Sequence, residues 1–123
     1  DYNLISCGMF DEAVAALALR HSDVMLARNR GIVRDNLAIL DEWIKAHPHF
    51  YYTKPQAGTT ALVYYDYDIP SYEFCTRMYH SAGAFVTPGD CFEQPKSMRI
   101  GYACDADTLR AVLAAMAEFA ETL

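Results

Sequence analysis

Basic clusters are missing from this chain: ten lysines and arginines are scattered among sixteen acidic residues in 123, and the formal charge is -6. That balance argues against nucleic acid or an anionic membrane as the main partner. No apolar run approaches the length of a membrane span, and no charged-then-apolar leader is read at the start. A glycine-rich phosphate loop and a nucleophile elbow are both lacking. The four cysteines (Cys7, Cys75, Cys91, Cys104) are widely spaced and no pair has metal-ligand spacing. We read them as core thiols of a reducing cytoplasm, the expected compartment. His21, His47, His49 and His80 fall at no recognised zinc spacing, so no metal site is expected. Lysines are few. Lys45, Lys54 and Lys96 each sit in a polar helix end or turn, where nothing predicts the desolvation that activates an amine. The length is that of one domain. The chain opens at Asp1 with no initiator methionine, and we expect a fragment of something longer.

What is present is a regular alternation of element signals. Asp1 to Phe10 reads as an extended lead-in, and Asp11 as the cap of a short alanine-rich helix over 12–20. Ser22 or Asp23 starts a second helix to about Ala46, with an apolar stripe at Leu26, Val33, Leu37, Leu40 and Ile44 and Trp43 beside it. Arg28, Arg30, Arg34, Asp35, Asp41 and Glu42 fit its solvated face. His47-Pro48 ends it, because the residue before proline is pushed out of the α region. Phe50–Thr53 is aromatic and β-prone. Thr59–Tyr65 is nearly continuously apolar, as in a strand covered on both faces. Asp68 caps a helix over 71–81 that Gly83 terminates. Ala84–Val86 reads as a short strand. Asp105 caps a last helix carrying Leu109, Val112, Leu113, Met116, Phe119 and Leu123. The order predicts a small α+β domain, its sheet covered by helices on at least one face. The tyrosines at 51, 52, 64, 65, 67 and 72 fit core and sheet packing.

The most informative stretch is Val86-Thr87-Pro88-Gly89-Asp90-Cys91-Phe92, followed by Ser97-Met98-Arg99-Ile100-Gly101-Tyr102-Ala103. Pro88 presets its own φ and Gly89 frees the next, which predicts a defined turn. Met98, Ile100 and Tyr102 alternate with Arg99 and Gly101, so Arg99 leaves the strand on the face away from the core. A guanidinium there is a planar fork suited to a carboxylate. A surface arginine paired with a nearby Asp or Glu fits the spacing as well. No nucleophile, general base or cofactor anchor is evident beside it.

From about Ala16 onward these motifs, in this order, resemble the C-terminal small domain of class I/II (fold type I) aminotransferases, enzymes dependent on pyridoxal 5'-phosphate (PLP). Ala27-Arg28-Asn29-Arg30, Asn36-Leu37 and Trp43 resemble the family's long interdomain helix. Pro55-Gln56-Ala57-Gly58-Thr59-Thr60-Ala61-Leu62-Val63 resembles its Pro-x-(Ala/Gly)-Gly turn and following strand. Ser71 to Cys75, Gly83, the Pro88-Gly89 turn with Phe92, and Met98-Arg99-Ile100 complete the likeness. The resemblance implies a sheet that is mixed or antiparallel, with residues 1–123 as the small domain, 1–46 its lead-in and interdomain helix, and 47–123 the sheet subdomain. It implies Arg99 as the α-carboxylate-binding residue and Phe92 as a structural part of the loop. It also implies a Schiff-base lysine shortly before Asp1, PLP held by a large domain outside this chain, and a homodimer in amino acid metabolism acting on amino acids and 2-keto acids. No catalytic or cofactor-binding residue is then expected within the chain, and the fragment alone would be inactive. A lyase, a decarboxylase, a cyclising synthase or an independent small-molecule-binding module are the rival readings.

Overall fold

A computed structural model describes residues 8–123. The described residues divide at Gly31 into two compact units, one ending there and one over 32–123. In the first, helix α1 (Met9–Arg20) is followed by the start of helix α2 (Ser22–Ala46), and α1 has no buried residue. Helix α1 begins three residues earlier than the sequence suggests. Gly8 stands at its N-cap and Asp11 lies in the first turn, where a carboxylate still favours the positive end of the helix dipole. The expected lead-in over 1–7 lies outside the described residues, whereas Met9 and Phe10 are helical.

In the second unit the strands β1 (Phe50–Tyr52), β2 (Thr60–Tyr65), β3 (Thr87–Pro88) and β4 (Ser97–Gly101) form one antiparallel sheet in the order β1-β2-β4-β3. Helix α3 (Ser71–Ala82) and helix α4 (Ala106–Ala120) follow β2 and β4. Period-2 alternation turns Phe50, Ala61, Val63, Tyr65, Met98 and Ile100 to one face. There they form a single core with Leu40 and Ile44 of α2, Phe74 and Met78 of α3, and Leu109, Leu113 and Met116 of α4. The fold is α+β. Phe74 packs flat on Tyr65 at 4.1 Å between centroids and edge-on to Phe119 at 5.3 Å.

Several local expectations give way to tertiary contacts. Strand β2 is central, but only alternate residues are buried, so its second face is partly open. Ala84–Val86 is not a strand; the pairing segment is Thr87–Pro88, at the sheet edge where proline removes no needed donor. Leu26 and Leu123 are exposed, and α4 ends at Ala120. Asp41 is not a freely solvated residue of α2. Its carboxylate accepts from Lys45 Nζ, Lys54 Nζ and Tyr52 Oη, each at 2.8 Å. Of the described cysteines only Cys75 is buried; Cys91 is exposed, which corrects its reading as a core thiol.

Gly83 closes α3 in the left-handed conformation, φ 69°. Gly89 is glycine for another reason. Its φ is not positive, but a Cβ there would overlap Ser97 Oγ and the carbonyl oxygen of Gln94. The turn therefore needs glycine for close approach rather than for backbone freedom.

Candidate functional site

Strand β4 buries Met98 and Ile100 and exposes Arg99, as the alternation predicts. The neighbours of Arg99 are decided by register. Leu62 of β2 lies opposite on one side and Thr87 of β3 on the other. The guanidinium carbon stands 4.6 Å above the centroid of the Phe92 ring, and Nη2 donates a long hydrogen bond to Thr87 Oγ1 at 3.5 Å. Among the described residues no carboxylate pairs with Arg99, in contrast to Arg77, which lies 3.7 Å from Glu73. The surface ion pair that the sequence left open is absent there. A permanently charged, planar donor fork without an anion is what a carboxylate ligand requires.

Phe92 comes from a 3₁₀ turn over Gly89–Phe92. Asp68 does not cap α3 as expected; it accepts from Lys96 Nζ at 2.9 Å. The backbone N–H of Tyr72, in the first turn of α3, instead donates to Asp90 Oδ2 at 3.0 Å, and the N–H of Asp90 donates to the hydroxyl oxygen of the fully buried Ser71 at 2.9 Å. Turn and helix satisfy each other's orphan donors. Beyond the far end of β4, the buried Asn36 of α2 donates both amide hydrogens, to the carbonyls of Tyr102 at 2.8 Å and Cys104 at 2.7 Å. These contacts join residues 18 to 68 positions apart, and no local pattern announces them. The one available signal was a polar Asn36 set among apolar residues of a helix.

The remaining candidates are placed away from this site. Lys45 and Lys54 share Asp41, and Lys96 is engaged by Asp68. Each lysine is thus held by a carboxylate. His47 donates through Nδ1 to the Trp43 carbonyl at 2.7 Å, and His49 pairs with Asp66 at 2.7 Å. Among the described residues no group of three or more His, Cys, Asp or Glu could hold a metal ion. Among the described residues no helix is long and apolar enough to cross a membrane. The described residues do not fit PLP. The three lysines are exposed and each pairs with a carboxylate, so none is the desolvated amine that an imine with PLP calls for.

No family model matches the chain. In structure it is similar to a PLP-dependent aminotransferase from Streptococcus suis, with 38% identity and a TM-score of 0.95 over 99% of this chain and 33% of that one. It is also similar to the PLP-dependent cyclase OrfR, with 26% identity and a TM-score of 0.88 over 94% of this chain and 32% of that one. In sequence it is 31% identical, over 119 residues, to capreomycidine synthase from Streptomyces vinaceus, matching 96% of this chain and 31% of that protein. The chain spans about a third of the length of each of these relatives. The sheet order, the helices on one face and this near-complete match to a third of each enzyme make the chain a C-terminal small domain of the fold-type-I PLP-dependent enzymes.

Proposed function

We propose that the protein of which this chain is part is a PLP-dependent aminotransferase, moving an amino group between an amino acid and a 2-keto acid. In this reading residues 1–123 are its small domain and Arg99 grips the substrate α-carboxylate. Residues 1–46 serve as lead-in and interdomain helix and 47–123 as the sheet subdomain. The large domain carries the lysine and the PLP, two subunits pair, and the enzyme works in the cytoplasm. The single observation that carries the reading is the exposed guanidinium of Arg99, ordered by Phe92 and Thr87 and without a carboxylate among the described residues. Gripping the carboxylate fixes the substrate's orientation, so the contribution of this domain is positional. In this reading the chain alone is inactive, because the Schiff-base lysine and the PLP site belong to the large domain.

The test uses the full-length protein with PLP and a panel of L-amino acids and 2-keto acids. Arg99→Lys should raise KM for the amino acid at least tenfold, because one ammonium cannot reproduce a two-pronged contact. The PLP absorbance per subunit should not change. Lost PLP loading, or an unchanged KM, overturns the role.

A second reading has its own support, since two of the similar proteins are a cyclase and a capreomycidine synthase. In that reading the same arginine serves a PLP-dependent cyclising synthase. An intramolecularly closed product with no keto-acid turnover would select it over transamination.

A further inference from the structure

We propose that Phe92 is a positioning residue for Arg99, and that the two hydrogen bonds tying Asp90 to Ser71 and Tyr72 hold Phe92 in place. The proposal rests on the reading of Arg99 as the carboxylate grip. Phe92 is an aromatic side chain left partly exposed at the surface, with the guanidinium carbon of Arg99 4.6 Å from its centroid. A ring in that position attracts the cation through its quadrupole and restricts where the guanidinium can turn. Thr87 Oγ1 occupies one hydrogen of Nη2. A carboxylate is then left to approach in the guanidinium plane, along the N–H edge not turned to Thr87. That approach gives two parallel hydrogen bonds, and the side chain has little rotamer freedom left to lose on binding.

The ring cannot hold this place by core packing, because Phe92 belongs to a four-residue turn outside the core. Fastenings on both sides of the turn hold it instead. Before the ring, Asp90 exchanges two hydrogen bonds with the first turn of α3, one through buried Ser71 and one to the N–H of Tyr72. After the ring, Glu93 takes the left-handed conformation at φ 57° and the N–H of Gln94 returns to the carbonyl of Gly89 at 3.0 Å. Helix α3, which touches no substrate in this reading, thereby sets where Phe92 lies and how Arg99 is presented.

The experiment uses the full-length, PLP-loaded protein and acetate, a bare carboxylate, as competitor against the amino acid that is turned over. Phe92→Leu should raise both KM for the amino acid and the acetate inhibition constant three- to tenfold, with kcat within twofold. Phe92→Tyr should restore both, since the ring face remains. Asp90→Ala should shift the same two constants in the same direction by a smaller factor, with a folded protein by thermal melting. If Phe92→Leu does not fold, Phe92→Met decides by the same readings. Unchanged constants in the Leu or Met variant, or a Tyr variant that behaves like Leu, overturn the proposal. Should Arg99→Lys itself leave KM and the acetate constant unchanged, the reading of Arg99 falls. Should only the Phe92 variants be silent, the positioning role alone falls.

Discussion

The amide of Asn36, on helix α2, donates to the carbonyl of Tyr102, immediately beyond the strand that carries Arg99, at 2.8 Å. With its second bond to Cys104 it closes the exit of β4 onto the helix by a side chain that is 1% exposed. Asn36→Leu removes two donors and leaves two carbonyls facing an apolar group. We expect a loss of about 2 kcal/mol in unfolding free energy, the cost of leaving such groups unpaired. Denaturant unfolding of the full-length protein measures it, and an unchanged midpoint would refute the clamp.

Glycine substitutions should separate steric from conformational need. Gly89→Ala drives a methyl into Ser97 Oγ and the Gln94 carbonyl, and should cost about 1–3 kcal/mol by overpacking. Gly31→Ala, within helix α2 and with open space around the added methyl, should stabilise by about 0.5–1 kcal/mol. Thermal midpoints of the two variants should therefore move in opposite directions.

Asp41 has a pH signature. Hydrogen bonds from Lys45, Lys54 and Tyr52, in that order, hold its carboxyl well below the usual carboxylate range. A folded-state value below the unfolded one means that the unfolded chain takes up the proton first as pH falls. The contribution is thus fully present above the ordinary value of about 4 and is lost progressively below it, as pH falls through the lowered folded value. Asp41→Asn should cost about 1 kcal/mol at pH 7, in keeping with a network whose two lysines are exposed to solvent. The gap to wild type should narrow steadily from pH 4 to pH 2 in urea titrations; a constant gap would count against the charged network.

Thiol reactivity should divide the cysteines. Burial first, then the neighbouring Asp90 and Cys91, push the Cys75 thiol up to about 12, whereas Cys91 lies exposed in the 3₁₀ turn. A maleimide at pH 7.5 should modify Cys91 and spare Cys75 until denaturant is added, because the thiolate is the reactive form. Mass mapping of the labelled peptides reads the outcome. Early modification of Cys75 would contradict its burial.

Much of this architecture is local chemistry and could be read directly from the chain. The strand period that puts Arg99 opposite Met98 and Ile100, the proline that stops α2 and the Asp105 cap of α4 each depend on residues a few positions apart. The α+β order followed from the same signals. The failures share one cause. Asp68 is the last carboxylate before α3, yet Asp90 accepts from the N–H of Tyr72 in its first turn, 18 residues further on. Asp41 looked solvated because Lys54 and Tyr52 reach it from beyond the helix. Nothing in the neighbourhood of Phe92 announces that pairing β3 with β4 brings the Arg99 guanidinium over its ring, whatever its part in the loop.

The amino-acid sequence by itself determined the order of the main helices and strands, which face of β4 carries the guanidinium and where α2 and α3 stop, because backbone sterics and apolar periodicity act over single turns. Only the tertiary structure decided what surrounds that guanidinium. Register and turn docking bring together Thr87, Phe92 and Arg99, and bind their turn to Ser71 across a gap in sequence that no local rule spans.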